Sequence, residues 1–475
     1  MTRSAQTYTY LRPSAMRRTA EGRSIGLETS GGTTPAGQEA HPRFFHGFLT
    51  HPQATAAALL CVADIAAARY YQPQLDHWRD PVVTGNGDRL RFESFSACCG
   101  VYARLDVLGD AVDGEIGHGT TNVDVNAPLR DALTRVGASD PLRLEVGPDD
   151  MTVTTFDGPV VEKKVPLPER WLRGFAETQV IASGFDLRAE LPAGEAVRYL
   201  RALPRPSATR GASRGARWVV PAGRSLRATT RPVPGAVCLP GPERLTALAR
   251  VLRHATGLRI YGPAVTAGSG PVASAWEIGL PGMRLALTLS PDTARGFSGE
   301  GGVLDALAAD ESAEDADLVS VLLAWNPVVE IADLAVQSGL TPHRVRAALT
   351  RLGTAGRIGY DTAEAAYFHR ELPYDTGRAE RDNPRLRAAR ALVDAGAVHL
   401  DGETATVTVE DHSHRVRSAE GRLTCTCRWW AEYRGGRGPC RHALAVRIAR
   451  RTAAPRTTAS TTAHDKADIS TGATR

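Results

Sequence analysis

The sequence predicts an α+β multidomain protein, and three observations point to that fold class. Strand and helix patterns alternate over residues 41–296, and three helical patterns followed by two strand patterns occupy residues 318–375. Near the C-terminus, strand patterns and a final helical pattern enclose three cysteines and one histidine within residues 425–442. A chain of 475 residues, 42 % of them hydrophobic, has the length and composition for about three packed domains.

Both ends of the chain lack hydrophobic periodicity. Residues 1–40 mix Ser, Thr, Gly and Arg, and residues 452–475 repeat Thr, Ala and Ser. Segments of this composition bury too little apolar surface to offset the entropy of ordering them. We therefore predict disordered tails over both ranges.

Residues 41–296 carry the pattern of a mixed α/β region. The apolar stretch 54–71 predicts a helix, because its length exceeds that of a strand. Further patterns predict strands at 90–95, 101–107, 142–146, 151–156, 185–191, 218–220, 226–230, 258–261, 276–280 and 284–289, and helices at 127–136, 169–178 and 243–255. This order allows two related halves and is similar to that of sliding-clamp-like folds, but the sequence assigns the region no role.

A glycine-rich segment, residues 114–122, is a candidate phosphate-binding loop. It lacks the Lys-Ser/Thr ending of a P-loop and has no clear position between a strand and a helix. We interpret it as a turn.

An acidic segment separates this region from the next. Residues 297–317 are rich in Gly and Ala and carry seven acidic residues. We interpret the segment as an acidic linker or the first turn of a helix, and we place a domain boundary there.

Residues 318–375 show the second informative pattern. Helical segments at 317–325, 330–337 and 342–352 are joined by a tight turn at 338–341 and followed by strand patterns at 358–360 and 366–368. Helix, turn, helix and then a β-wing resembles the winged helix-turn-helix of bacterial regulators.

The third helix of this segment has one apolar face and a basic flank. Val345, Leu349 and Leu352 recur at helical spacing and are predicted to be buried. The flank presents Arg344, Arg346 and Arg351, as a recognition helix in a DNA major groove would. The alternative is a docking or scaffold role, which such domains also have in multidomain chains.

The C-terminal segment contains a candidate zinc site. Cys425, Cys427, Cys440 and His442 are four soft or borderline ligands, and a Cys3His set is standard for structural Zn²⁺. Four protein ligands fill a tetrahedron and leave no position for an activated water. The sequence therefore predicts a structural and non-catalytic metal site.

The spacing of these residues indicates how the site is built. Cys425 and Cys427 follow a strand pattern, and residues two apart in a strand point to the same side. Cys440 and His442 follow Pro439 and precede a helical pattern, so they are expected in a first helical turn. A short helix at 384–395 leads into the module.

The order Cys-x-Cys, twelve residues, Cys-x-His resembles the SWIM zinc finger, a ββα module. The resemblance implies that the same four residues bind Zn²⁺, and we assign residues 384–451 to this module. It also implies a role in nucleic-acid binding or protein interaction and not in catalysis.

Arginines surround the predicted metal site. Arg428, Arg434, Arg437 and Arg441 are candidate contacts for phosphates or for an acidic protein partner, with nearby Trp and Tyr side chains that could stack on bases. The alternatives are that the arginines neutralise the thiolate-rich site and maintain solubility, and that the aromatic side chains pack on the zinc core.

Composition bears on three further questions, namely where a basic surface could lie, whether the protein is an enzyme and where it is located. A net charge of +5 is small for this length, so any basic surface must be local. Metal-ligand spacing is absent at the other four cysteines, Cys61, Cys98, Cys99 and Cys238. The sequence also shows no recognisable set of a nucleophile, a base and an orienting group. We therefore expect neither an enzyme nor a small-molecule substrate. Without a signal core or an apolar stretch of membrane length, we expect a cytoplasmic protein with no membrane partner.

The Arg-rich and Ala-rich composition, with lysine at only three positions, is typical of a bacterial genome of high GC content. The sequence as a whole predicts a zinc-binding, non-catalytic protein that binds nucleic acid, with DNA favoured over RNA. The alternative is a protein-interaction scaffold, for which the family resemblance implies AAA-type ATPases or von Willebrand A-like proteins as partners.

Overall fold

The computed structural model describes residues 43–70, 81–165, 169–204, 217–292, 296–297, 312–323, 328–354, 356–370, 384–419, 422–434 and 438–453, with five short strands nearer the N-terminus. Those strands are Thr9–Tyr10 (β1), Ala15–Thr19 (β2), Gly22–Gly26 (β3), Ser30–Thr34 (β4) and Gly37–Glu39 (β5). The disordered tails and most of the acidic linker fall largely outside the described residues and stay predictions.

The region from residue 43 to residue 292 contains strands, α-helices and 3-10 helices. Its first part comprises β6 (Phe45–Leu49), α1 (Pro52–Ala67), β7 (Val82–Asn86), β8 (Arg89–Phe95), β9 (Val101–Leu108), a 3-10 turn (Gly109–Ala111), β10 (Val112–Ile116), β11 (His118–Asn122), α2 (Ala127–Arg135), β12 (Arg143–Val146), β13 (Asp150–Thr155), β14 (Gly158–Lys163) and α3 (Glu169–Ala182). Its second part comprises β15 (Asp186–Pro192), α4 (Ala193–Arg201), β16 (Arg217–Ala222), β17 (Ser225–Thr229), β18 (Val237–Leu239), 3-10 helices at Pro242–Arg250 and Leu252–His254, β19 (Gly257–Gly262), β20 (Ser274–Leu280) and β21 (Met283–Leu289).

These strands form three antiparallel sheets. Their strand orders are β10-β6-β12-β13-β14, β11-β7-β8-β9-β21-β20-β19-β15 and β17-β16-β18. Every strand predicted between residues 90 and 289 is present. The two related halves and the similarity to sliding-clamp-like folds stay predictions.

Helix α1 packs against the eight-stranded sheet. Its Ala-rich sequence favours the helix, and Pro52 stands in the first turn, where its missing N–H costs nothing. Most of α1 is buried, and Leu60 and Ile65 belong to the same core as Phe92 and Leu105 of β8 and β9. Apolar residues alternate along β8 and β9, so one face of the sheet forms this core.

One prediction for this region was wrong. The segment 114–122 is not a turn, because β10 pairs with β6 and β11 pairs with β7. Gly114 faces Gly47 across the β10–β6 pair, and a Cβ at Gly114 would lie 2.6 Å from the Gly47 Cα, so these glycines permit close strand approach. The helical stretch predicted at 243–255 is present as 3-10 helices, and Leu245 and Leu248 are buried at the three-residue spacing of such a helix.

The described residues between 312 and 370 form three helices and a hairpin. These are α5 (Ser312–Leu323), α6 (Ile331–Ser338), α7 (Pro342–Thr354), β22 (Ile358–Asp361) and β23 (Ala366–His369). The predicted apolar face of α7 is confirmed, because Val345, Leu349 and Leu352 are buried in one core with residues of α5 and α6. Gly339 ends α6 in the left-handed conformation, at φ 69°.

The β22–β23 hairpin and helix α3 cover the second face of the eight-stranded sheet. Charged residues alternate with apolar ones along β8 and β9, a pattern that normally marks a face exposed to water. In the structure Arg91, Arg104 and Asp106 on this face are buried. The guanidinium carbon of Arg91 lies 3.8 Å from the centre of the Phe368 ring of β23.

Asp361 of β22 completes an ion-pair network on this face. It accepts hydrogen bonds from Arg104 at 2.8 Å and from Arg284 at 3.0 Å, while Asp106 lies 3.1 Å from Arg91 and 3.0 Å from Arg104. Arg370, just after the hairpin, forms a second buried ion pair with Glu93. The sequence pattern alone does not predict this network.

We expect Gly359→Ala to disturb the hairpin. Gly359 pairs with Phe368 across β22 and β23, and an alanine Cβ would lie 2.2 Å from the Phe368 ring, which Arg91 covers. Overpacking of this kind costs about 1–3 kcal/mol. Urea unfolding of the full chain should show a lower midpoint. Gly268→Ala is the control, because nothing lies within 4 Å of a Cβ there; equal midpoints for the two variants would contradict the prediction.

The C-terminal module has its own hydrophobic core. It comprises α8 (Pro384–Asp394), β24 (Val398–Asp401), β25 (Thr404–Val409), β26 (His412–Ala419), β27 (Arg422–Cys425), α9 (Arg428–Tyr433) and α10 (Arg441–Ala453). The strands form a sheet in sequence order, and α10 packs on α8 and on all four strands. Strand β24 and helix α9 extend the predicted ββα arrangement.

Candidate metal centre

Two chain segments bring the four predicted ligands together. Cys425 is the last residue of β27, and Cys427 immediately precedes α9. Cys440 immediately precedes α10, and His442 lies in the first turn of that helix. The strand end and the helical turn that the sequence predicts are both confirmed.

The geometry of the four side chains fits a zinc ion. Their ligand atoms all lie within 4.8 Å of one another, and all four residues are buried. Cys425 Sγ is 3.7 Å from His442 Nδ1, so the Nδ1 atom faces the sulfurs. Zn–S bonds of about 2.3 Å and Zn–N bonds of about 2.0–2.1 Å place tetrahedral ligand atoms roughly 3.5–3.8 Å apart.

Within the cluster, the pKa values of the Cys425 and Cys440 thiols are shifted in opposite directions. The hydrogen bond from Cys425 lowers the pKa of the Cys440 thiol to about 4, with help from His442 and from the Ala443 N–H. The same hydrogen bond and burial raise the pKa of Cys425. The Ala443 N–H lies 3.4 Å from Cys440 Sγ, as expected for a thiolate at a helix start. Such a set of donors suits a divalent cation.

Neighbouring rings and cations hold the ligands in place. His414 stacks on His442 with ring centres 4.1 Å apart. Trp429 donates from Nε1 to the Gly438 carbonyl at 3.3 Å, and the Arg385 guanidinium lies 4.7 Å from its ring centre. Trp429 is half-buried against the metal core, which favours a packing role over base stacking.

The predicted contact arginines occupy different environments. Arg428, Arg434 and Arg441 are exposed, and Arg441 Nε lies 3.2 Å from His442 Nε2, beside the metal ligand. Arg437 lies outside the described residues.

On α7 the arginines differ as well. Arg344 forms a two-bond ion pair with Asp315 of α5, with distances of 2.8 and 2.6 Å. Arg346 is exposed and Arg351 is half-buried. The structure therefore places Arg344 in the packing of α7 on α5.

Four buried side chains, placed by the end of β27 and the start of α10, define a candidate metal-binding module. Comparison with known families agrees: residues 405–450 match the SWIM zinc finger. The cluster Cys425, Cys427, Cys440 and His442 lies within this segment, which confirms the resemblance.

In addition to the SWIM match, the chain aligns with a solved structure at low sequence identity. A crystal structure of proliferating cellular nuclear antigen from Entamoeba histolytica aligns with 53 % of this chain and 100 % of its own chain, at 10 % identity and a TM-score of 0.33. No curated protein matches the sequence. In the described part of the chain, no helix is long and apolar enough to cross a membrane.

Proposed function

We propose that residues 384–451 form a zinc-stabilised, non-catalytic module that binds nucleic acid, with DNA favoured over RNA. The observation that supports a structural role is the complete set of four buried ligands, which leaves no position for an activated water. Exposed arginines around this small core supply the charge for phosphate contacts.

The preference for DNA depends on the unit formed by α5, α6, α7 and the hairpin, which we interpret as winged-helix-like. Arg346 and His343 are exposed in the N-terminal half of α7, where a recognition helix would face a groove. The hairpin packs on the eight-stranded sheet through Asp361, so in this proposal it supports α7 and does not contact DNA.

A salt titration tests the proposal. Each phosphate contact made by an arginine releases condensed counterions, so log Kobs for duplex DNA should fall with log salt by about 0.9 per contact. We expect the zinc-loaded full chain to show this slope in fluorescence anisotropy, with tighter binding to duplex DNA than to RNA or to heparin. Binding that does not change with salt, or equal binding to heparin, would contradict it.

Protein interaction is the second candidate, and exposed apolar side chains favour it. Val321 of α5 is 78 % exposed and Val336 of α6 is 85 % exposed. AAA-type ATPase or von Willebrand A-like partners belong to this candidate. Purification of the native protein with and without nuclease separates the two: a partner protein that remains after digestion favours interaction, and one that is lost favours nucleic acid.

A further inference from the structure

The four-stranded sheet of the C-terminal module has one covered face and one open face. Ala405, Val407, Val416 and Cys425 point to the core shared with α10 and the metal centre. Since successive residues of a strand point to opposite sides, the residues between them form the open face. We define the open sheet face by its polar side chains, which are those of His399, Asp401, Thr404, Thr406, Thr408, Ser413, Arg415, Arg417, Thr424 and Thr426.

The strand register arranges these side chains in rows. One row runs Asp401, Thr404, Arg417, Thr424 across the four strands. The next row runs from His399 through Thr406 to Arg415. The Thr426 Oγ1 extends it by accepting a hydrogen bond from the Arg415 N–H at 3.0 Å. Each row therefore places one guanidinium between hydroxyl groups.

The two arginines are exposed on this face. In the described part of the chain, neither Arg415 nor Arg417 has a carboxylate within ion-pair distance. The acid of the face, Asp401, stands two strands away from Arg417, which is roughly 9–10 Å between Cα atoms at the usual strand spacing. The centre of the face is therefore cationic.

The arginines beside the four metal ligands, at what we call the metal end of the module, differ from Arg415 and Arg417. Arg385 lies over the Trp429 ring and donates to the Pro439 carbonyl at 3.2 Å, and Arg441 lies beside His442. These two side chains stabilise the metal end, whereas Arg415 and Arg417 have no comparable contact among the described residues.

We propose that the open sheet face is where the module contacts the sugar–phosphate backbone of a nucleic-acid strand, an inference that rests on the proposed function. Arg415 and Arg417 are two residues apart on one strand, so their Cα atoms are about 6.8 Å apart, similar to the separation of consecutive phosphates. The Thr404 and Thr424 hydroxyls donate to the Asp401 and Arg417 carbonyls, so the two guanidinium groups supply the phosphate contacts. The face carries no Trp, Tyr or Phe for base stacking, so the contact is independent of sequence.

Charge-removal variants of the full chain test this inference. The probe is a fluorescein-labelled duplex DNA of mixed sequence, titrated at several salt concentrations, and the zinc content of each variant confirms that the module is folded. We expect R415Q/R417Q to weaken binding at least about tenfold and to reduce the salt slope by about 1.8, or 0.9 for each lost phosphate contact. The matched control is R224Q/R227Q, an exposed pair in and beside β17 that changes the net charge equally; it should leave both values unchanged.

A third variant, R428Q/R434Q, removes two exposed charges at the metal end. If this variant lowers the slope while R415Q/R417Q matches the wild type, the contact lies at the metal end and the inference is overturned. An equal loss in R224Q/R227Q would show a general charge effect and would also overturn it. If the wild type fails to bind the duplex, the proposed function itself fails. That outcome differs from failure of this inference, in which the wild type binds and R415Q/R417Q binds equally well.

Discussion

Replacing Asp361 with asparagine should lower the free energy of unfolding by about 3–5 kcal/mol, because one member of a buried ion network is lost while its partners stay buried. The side chain of Asp361 is 2 % exposed, and the guanidinium groups of Arg104 and Arg284 donate to it. Arg89 and Arg91 lie within 3.8 Å of the same carboxylate. An amide in this position removes a negative charge that four guanidinium groups share, and they then depend on Asp106 and on the partly exposed Asp88 and Glu364.

The same group predicts a pH dependence. Burial alone would raise the pKa of Asp361, but the guanidinium groups of Arg104, Arg284, Arg91 and Arg89 outweigh burial and hold the pKa well below its usual range. A carboxyl with a lowered pKa in the folded state stabilises fully above its unfolded pKa of about 3.9. This stabilisation declines as the pH falls below that value, and the decline should be smaller in Asp361→Asn.

Urea unfolding and hydrogen exchange measure these effects. We expect a lower unfolding midpoint and faster amide exchange in peptides that cover β22, β23 and β9. Glu190→Gln is the control, because Glu190 forms an ion pair with Arg259 in which both side chains are about half exposed. Exposed pairs of this kind contribute about 0–1 kcal/mol. If both variants unfold at the same urea concentration, the network is not what holds the hairpin to the sheet.

This network also shows why part of the structure could not be predicted from sequence. Arg91 and Asp106 alternate with apolar residues, a pattern that also describes an ordinary solvent-exposed sheet face. The hairpin, more than 250 residues further along the chain, covers them. Local patterns do not contain that contact, because it depends on which distant element covers the sheet.

The metal centre is the opposite case. Cys425, Cys427, Cys440 and His442 lie within one short segment, so ligand chemistry and spacing sufficed to predict the site. The strand end and helix start were predictable for the same reason. Helix α9 could not be predicted from the sequence, because the segment RWWAEY also suits a loop that packs aromatic side chains on a metal core.

Substitution of a zinc ligand should have the largest effect on the C-terminal module. In Cys427→Ser we expect loss of stoichiometric zinc and unfolding of residues 384–451, because the folding free energy of so small a module is largely that of metal binding. For structural zinc in finger peptides that energy is about 10–16 kcal/mol near neutral pH. The apolar core of the module includes Cys425, Cys427 and Cys440 themselves, so few other contacts can replace the metal.

Metal analysis, hydrogen exchange and limited proteolysis test this expectation on the full chain. We expect β24–β27 and α10 to lose protection, while the sheets and helices between residues 43 and 370 keep theirs because their hydrophobic cores are separate. Cys98→Ser is the matched control, since Cys98 is half-exposed and lies outside the metal cluster. Chelation of the wild type should reproduce Cys427→Ser. If the module kept its exchange protection after both treatments, its fold would not depend on zinc, and the structural role assigned to the four ligands would be wrong.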